Sequence, residues 1–301
     1  MLSSCSSEST PDSATTTPSQ STNSVAPADA APTSAAPPSA SPMNSKYIGS
    51  YSLEDAEFGT SVEVVVDAIS RKISTNSLPN TPTGDFPNAG NPNTISAQDL
   101  NYTYSTKPVF VGGATTVRTT GVAVNGVKFE PGTAEAVACS SGEAFRVEAL
   151  QDVYNLGLDF NNAHVQPSGE YHYHGVSELL VDAFNDDDDL VLVGFAADGF
   201  LMYYSKSDAY TPGYELAAQP REGTGCTGSG PLKADSIQIA GTMPDGTYTS
   251  DWLFSDTTGN LDECNGTIIN GEYAYLITNT YPYIGRCLNG EVQADTGPPP
   301  G

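Results

Sequence analysis

A mostly β protein is expected from three features of this 301-residue chain, its strands antiparallel in a sandwich or barrel-like arrangement with one or two short helices. β-branched and aromatic runs of strand length recur along it, and Asn-Gly and Asp-Gly pairs punctuate them. The sustained alternation of strand and helix patterns that a doubly wound sheet needs is missing.

The strand candidates follow in order. Residues 61–69 form a β-branched run, and 101–104 and 115–120 alternate weakly. Residues 122–129 surround Asn125-Gly126, which is the signature of a type I′ hairpin turn. Residues 169–174, 190–195, 201–204, 237–240 and 273–278 continue the pattern, with further turn pairs at Asp198-Gly199, Asp245-Gly246, Asn265-Gly266 and Asn289-Gly290. Two stretches read as helix. Residues 143–155 place Val147, Leu150, Val153 and Tyr154 on one face, and residues 177–184 carry Ser177 as N-cap.

Charge excludes several function classes. Eleven basic against 36 acidic residues give a net charge of −25, which argues against nucleic acid, anionic lipid and polyanionic polysaccharide as partners. The longest apolar run, Leu190 to Ala197, is far short of the ~18 residues of a membrane span.

Composition divides the chain. Residues 1–46 are rich in Ser, Thr, Pro and Ala, too poor in apolar surface to offset their ordering entropy, and read as a disordered tether. A β-rich domain is expected over 47–292 and a disordered tail over 293–301. Leu2-Ser3-Ser4-Cys5 is similar to a bacterial lipobox, which makes Cys5 a lipidation candidate and a lipid anchor an expectation. The basic and apolar regions of a signal peptide are absent before it, and a stray cysteine in a tail is the alternative.

The other four cysteines, Cys139, Cys226, Cys264 and Cys287, suit two disulfides in an exported domain, with three connectivities open. Cys264–Cys287 is favoured because it closes a short loop, and Cys139–Cys226 then follows. No Cys-x-x-Cys pair supports a zinc ribbon.

All three histidines of the chain, His164, His172 and His174, lie within eleven residues. On a strand His172 and His174 share a face ~7 Å apart, and the turn at Gln166–Gly169 can fold His164 back over them. Three neutral imidazoles suit an open zinc or copper site. Asp159, Asn161, Glu170, Glu178 and Asp198 are candidates for a fourth ligand or for partners of ring N–H groups. The plainer reading is a hydrogen-bonded ladder of His and Tyr in the core.

Other chemistries lack their signatures. There is no Gly-x-Ser-x-Gly elbow, no P-loop and no dinucleotide glycine fingerprint. Asp186–Asp189 reads as a solvated acidic loop, and the tyrosines at 273, 275, 281 and 283 as sheet core and rim rather than a sugar platform. A faint repeat aligns Gly169-Glu-Tyr-His-Tyr-His174 with Gly271-Glu-Tyr-Ala-Tyr-Leu276, and Asp159–Asn162 with Asp262–Asn265.

These residues carry a family resemblance. Gly169-Glu-Tyr171-His172-Tyr173-His174-Gly175 resembles the signature of the YHYH domain family. Asp159–Pro167, Gly194–Phe200, Leu261–Gly266, Gly271–Tyr275 and Tyr281–Cys287 are also similar to it, so the resemblance spans roughly Gly121 to Asn289. It implies an exported bacterial protein, often with a lipoprotein-like N-terminus, and supplies no reaction. Two departures stand out. Leu201-Met202 replaces Pro-Ile of many relatives, and Ala274 and Leu276 stand where some relatives repeat the Tyr-His pattern.

Three functions compete. The first is an extracytoplasmic metal-binding protein using His164, His172 and His174. The second is a metal-dependent hydrolase or oxidoreductase with Glu170 or Asp198 as general base. The third is a surface adhesion or binding module, with structural histidines and an unidentified small molecule as its partner. A periplasmic, cell-surface or secreted location is common to all.

Overall fold

The computed structural model describes residues 46–185 and 187–292. The expected tether except Lys46, Cys5, the expected C-terminal tail and Asp186 lie outside them. Among the described residues the chain is mostly β, with one α-helix.

In chain order the strands are β1 (Tyr51–Asp55), β2 (Thr60–Val66), β3 (Ser70–Thr75), β4 (Leu100–Ser105), β5 (Phe110–Thr116), β6 (Gly121–Ala123), β7 (Lys128–Phe129), β8 (Ala136–Cys139), β9 (Ala144–Arg146) and β10 (Ala163–Val165). Then come β11 (Tyr171–Tyr173), helix α1 (Glu178–Phe184), β12 (Leu190–Ala196), β13 (Leu201–Ser205), β14 (Tyr214–Leu216), β15 (Cys226–Gly228), β16 (Trp252–Phe254), β17 (Gly266–Ile269), β18 (Glu272–Ile277) and β19 (Cys287–Gly290).

The central element is an eight-stranded sheet in the order β10-β11-β7-β6-β12-β13-β18-β17. Its two halves repeat each other about the antiparallel pairing of Val122 with Phe195. Each half starts from a hairpin. In β6–β7 the Ala123 and Gly126 N–H groups donate to the Val127 and Ala123 carbonyls; in β12–β13 Ala196 and Gly199 donate to Phe200 and Ala196. Gly126 and Gly199 supply the positive φ, 82° and 99°, at the same place. A parallel strand then joins each hairpin: His172 lies opposite Lys128 and Tyr173 opposite Phe129, as Ala274 lies opposite Leu201 and Tyr275 opposite Met202. An antiparallel strand closes each edge, with Ala163 opposite Tyr173 and Gly266 opposite Tyr275. The segments Gly121-Val-Ala-Val-Asn-Gly-Val127 and Gly194-Phe-Ala-Ala-Asp-Gly-Phe200 therefore correspond. The sheet is mixed rather than purely antiparallel, because long connections let β11 and β18 return alongside their hairpins.

One polar device pins both outer pairs. The Tyr171 hydroxyl donates to Asp159 Oδ2 at 2.7 Å, and the Tyr273 hydroxyl donates to Asp262 Oδ2 at 2.7 Å. The acids head equivalent loops in which Asn162 and Asn265 take positive φ, 55° and 62°. Their carbonyls accept from the His174 and Leu276 N–H groups, each at 2.8 Å.

The antiparallel sheet β1-β2-β3-β4 packs Val62, Val64, Ile73 and Tyr104 into the same core as the central sheet. A second cluster, including Val137, Phe145, Val147, Leu156 and Tyr248, forms around the small sheet β15-β8-β9. Helix α1 is where the capping signal puts it. Ser177 Oγ accepts from the Leu180 N–H and donates to Asn161 Oδ1, while Leu180, Val181 and Phe184 are buried. Both disulfides pair as favoured: Cys139–Cys226 bridges β8 to β15, and Cys264–Cys287 ties the turn before β17 to β19.

Several local expectations fail. The helix expected over 143–155 is absent. Residues 144–146 pair with 136–138 as β9 on β8, and Val147 bridges to Tyr248. The 3.6-residue spacing there was fortuitous, and Val153 is 59% exposed. The strand expected over 115–120 lies earlier, as β5, and 237–240 contributes one bridge, Ile237 to Cys226. The Asn125-Gly126 turn is not type I′, because Gly126 has positive φ and Asn125 does not; it is a three-residue turn with a bulge. Asn289-Gly290 lies inside β19 instead of a turn.

Candidate metal centre

Strand alternation sends Tyr171 and Tyr173 to one face of β11, and His172 to the other. His164 on β10 lies directly opposite His172, so both imidazoles share that face. His174 follows two residues on and joins them. The ring centroids stand 4.6–4.7 Å apart in all three pairs. One ligand atom from each residue lies within 4.8 Å of the others, and His174 Nε2 is 3.0 Å from His164 Nε2. Imidazoles at ~2.0–2.1 Å from a tetrahedral zinc have nitrogens about 3.4 Å apart, a spacing between the 3.0 Å of the His164–His174 pair and the 4.8 Å bound on the group. The three-histidine group is thus able to hold a metal ion.

The surroundings set the protonation. His172 and His174 are 2% and 1% exposed. Burial holds both well below the ordinary imidazole value, and repulsion from neighbouring histidines adds to it. Burial also lowers His164, against a smaller upward pull from its hydrogen bond to Leu156. All three are therefore neutral near pH 7, the state in which imidazole binds metal. His164 Nδ1 donates to the Leu156 carbonyl at 2.9 Å, and His172 Nδ1 lies 3.4 Å from the Glu170 carbonyl. Backbone acceptors at Nδ1 leave Nε2 unprotonated and free to ligate. His174 differs. Donation from its Nε2 to His164 leaves its buried Nδ1 without a hydrogen-bond partner. With the proton on Nδ1 instead, the Nε2 lone pairs of His164 and His174 both face one point.

The candidate carboxylates are engaged with other partners. Glu170 contributes its backbone carbonyl to His172, while its carboxylate binds Lys128 Nζ at 3.1 Å. Asp198 accepts from the Tyr275 hydroxyl at 2.6 Å, in the opposite half of the sheet, and from the Gly290 N–H of β19 at 3.0 Å. Burial raises its carboxyl against those hydrogen bonds. It occupies the position that Asn125 holds in the first half, where Asn125 Nδ2 donates to the Tyr173 hydroxyl. Asp159 is taken up by Tyr171 and by the Gly84 and Asn161 N–H groups, and Asn161 by Ser177, Tyr171 and Pro82. Glu178 sits in the first turn of α1.

Sequence reading missed the ionic network beside the histidines. Lys128, opposite His172, bridges Glu130 at 2.8 Å and Glu170, and Arg118 meets Glu130 at 2.5 Å. Burial pushes the Glu130 carboxyl up, but Lys128 and Arg118 outweigh it and hold it below its usual value. The Lys128-x-Glu130 alternation matches Glu170-x-His172 on the neighbouring strand, a signal legible only once the parallel pairing is known.

Set beside known proteins, the sequence matches the family described as YHYH protein over residues 101–290. The chain belongs to the YHYH family. No curated protein and no solved structure matches it. The matched span of the YHYH domain takes in both halves of the central sheet, both disulfides and all three histidines. It begins inside β4, leaving β1 to β3 outside.

Proposed function

We propose that this YHYH domain is an extracytoplasmic metal-binding protein that holds one zinc or copper ion through His164, His172 and His174. The observation that carries the reading is the repeat. The second half of the sheet forms the same strand pair, in the same register and with the same Tyr–Asp bond, with Thr267, Ala274 and Leu276 at the three positions. The backbone design does not require imidazoles there. Burying three polar rings that the fold does not need costs stability, and a ligand recovers it. An all-imidazole donor set suits zinc and copper and disfavours magnesium and calcium, which prefer oxygen. Two disulfides fit an oxidising compartment outside the cytoplasm.

Elemental analysis of protein purified without a polyhistidine tag tests this. One equivalent of zinc or copper, lost in His172→Ala and His174→Ala, supports the reading. Metal-free protein that takes up neither ion stoichiometrically at pH 7.5 rejects it.

A further inference from the structure

Apart from the histidines, two adjoining concavities form a groove. One, about 440 Å³, is lined by Leu150, Gln151, Asp152, Leu158, Asn162 and Tyr283 among others. The other, about 330 Å³, adds Asp245, Thr247 and Trp252. They share Leu150, Gln151, Asp152 and Tyr283, so the groove is elongated and Tyr283 stands where its two parts meet.

The chemistry of the lining is specific. Asn162 and Asn279 donate their amide N–H groups to Val176, Tyr204 and Asp208, which leaves their carbonyl oxygens as acceptors. Asp152 adds an exposed carboxylate. Trp252 lines the second concavity. Its ring is stacked on Tyr281 at 4.5 Å and 5°, which fixes its orientation. Tyr283 is held in the left-handed region at φ 60° by a tight turn, in which its N–H donates to the Thr280 carbonyl and its own carbonyl accepts from Thr278. Its half-buried ring lines both concavities.

We propose that this groove binds a neutral oligosaccharide, with Tyr283 stacking on a sugar face and Asp152, Asn162 and Asn279 meeting its hydroxyls. Sugar hydroxyls donate to such acceptors, and sugar rings need a flat apolar face. The lining includes no Lys or Arg, and the chain carries −25, so anionic ligands are repelled. Its many polar groups suit a sugar better than a lipid chain. The elongated form suits linked rings. None of these residues belongs to the histidine cluster, so the inference stands independently of the metal.

Trp252 is the only tryptophan of the chain, so its emission reports on this groove. The full-length protein is titrated with the tetrasaccharides of cellulose, xylan, mannan, starch and chitin, and with the cationic glucosamine tetrasaccharide. The expected result is a saturable emission change with at least one neutral probe, retained in high salt. It is weakened about tenfold or more in Tyr283→Asn, which keeps the left-handed turn and removes the ring. An unchanged thermal midpoint shows that this variant is folded; Asp152→Asn, on an exposed loop, serves as a second variant. No response to any neutral probe overturns the proposal. So does a response equal in wild type and both variants, or one confined to the cationic probe and abolished by salt.

Discussion

His172 and Ala274 occupy the same place in the two halves of the central sheet. Each lies between an antiparallel partner, His164 or Thr267, and a parallel one, Lys128 or Leu201. The substitution therefore changes a whole row across three strands and not one side chain. Where the first half places imidazoles beside an ion-paired lysine, the second places apolar carbon and a hydroxyl. The second copy acts as an internal control for what the strand arrangement itself demands.

The paired Tyr–Asp bonds should be equivalent in stability as well as in geometry. Tyr171→Phe and Tyr273→Phe each remove a buried hydroxyl from a carboxylate, expected to cost about 1–3 kcal/mol apiece. Urea unfolding of both variants checks this. A variant indistinguishable from wild type would show that the bond is incidental.

Metal-free protein should lose stability below pH 6.5. His172 and His174 have folded values well under the ordinary one, with burial the largest cause. The unfolded chain then binds more protons than the folded one once pH falls below the unfolded value of ~6.5. Their neutral burial is fully tolerated above that pH. Stability falls as pH drops toward the folded values, by up to about 1.4 kcal/mol per pH unit for each histidine. Bound metal should shift this loss to lower pH. Thermal midpoints measured from pH 8 to 5, with and without zinc, test the sign; greater stability at pH 5 would reverse it.

The two disulfides should contribute unequally. Their half-cystines are 87 and 23 residues apart. Loop-closure entropy then makes Cys139–Cys226 worth about 1 kcal/mol more than Cys264–Cys287, each falling near ~2–4 kcal/mol. Paired Cys→Ser variants compared by denaturant unfolding give the difference, and an inverted order would contradict it.

Much of this was legible in the sequence, for identifiable reasons. The β class, the Ser177 cap, the disulfide pairing and the histidine cluster all rest on short-range signals: turn pairs, a capping serine, loop length and i, i+2 spacing. The repeat showed only at its outer strands, because Gly121–Val127 and Gly194–Phe200 share little beyond two glycines, an alanine and an Asn/Asp. The parallel pairing of β7 with β11 lies between residues some forty positions apart, and no local pattern encodes it. That is why Lys128 and Glu130 were missed, and why Asp198, near in sequence to the motif, falls in the opposite half of the sheet. The false helix over 143–155 had helical periodicity, but Cys139–Gly142 turns the chain back so that 144–146 pair with β8.

Transplanting the second half's residues into the first tests the central claim most directly. The variant His164→Thr, His172→Ala, His174→Leu is compared with wild type by zinc and copper titration calorimetry and by thermal unfolding of the metal-free proteins. The account predicts that wild type binds one equivalent at pH 7.5, and that the variant binds none. It also predicts that the metal-free variant unfolds at a midpoint no lower than wild type by more than a few degrees. A variant that cannot fold, or one that binds metal as wild type does, would contradict it.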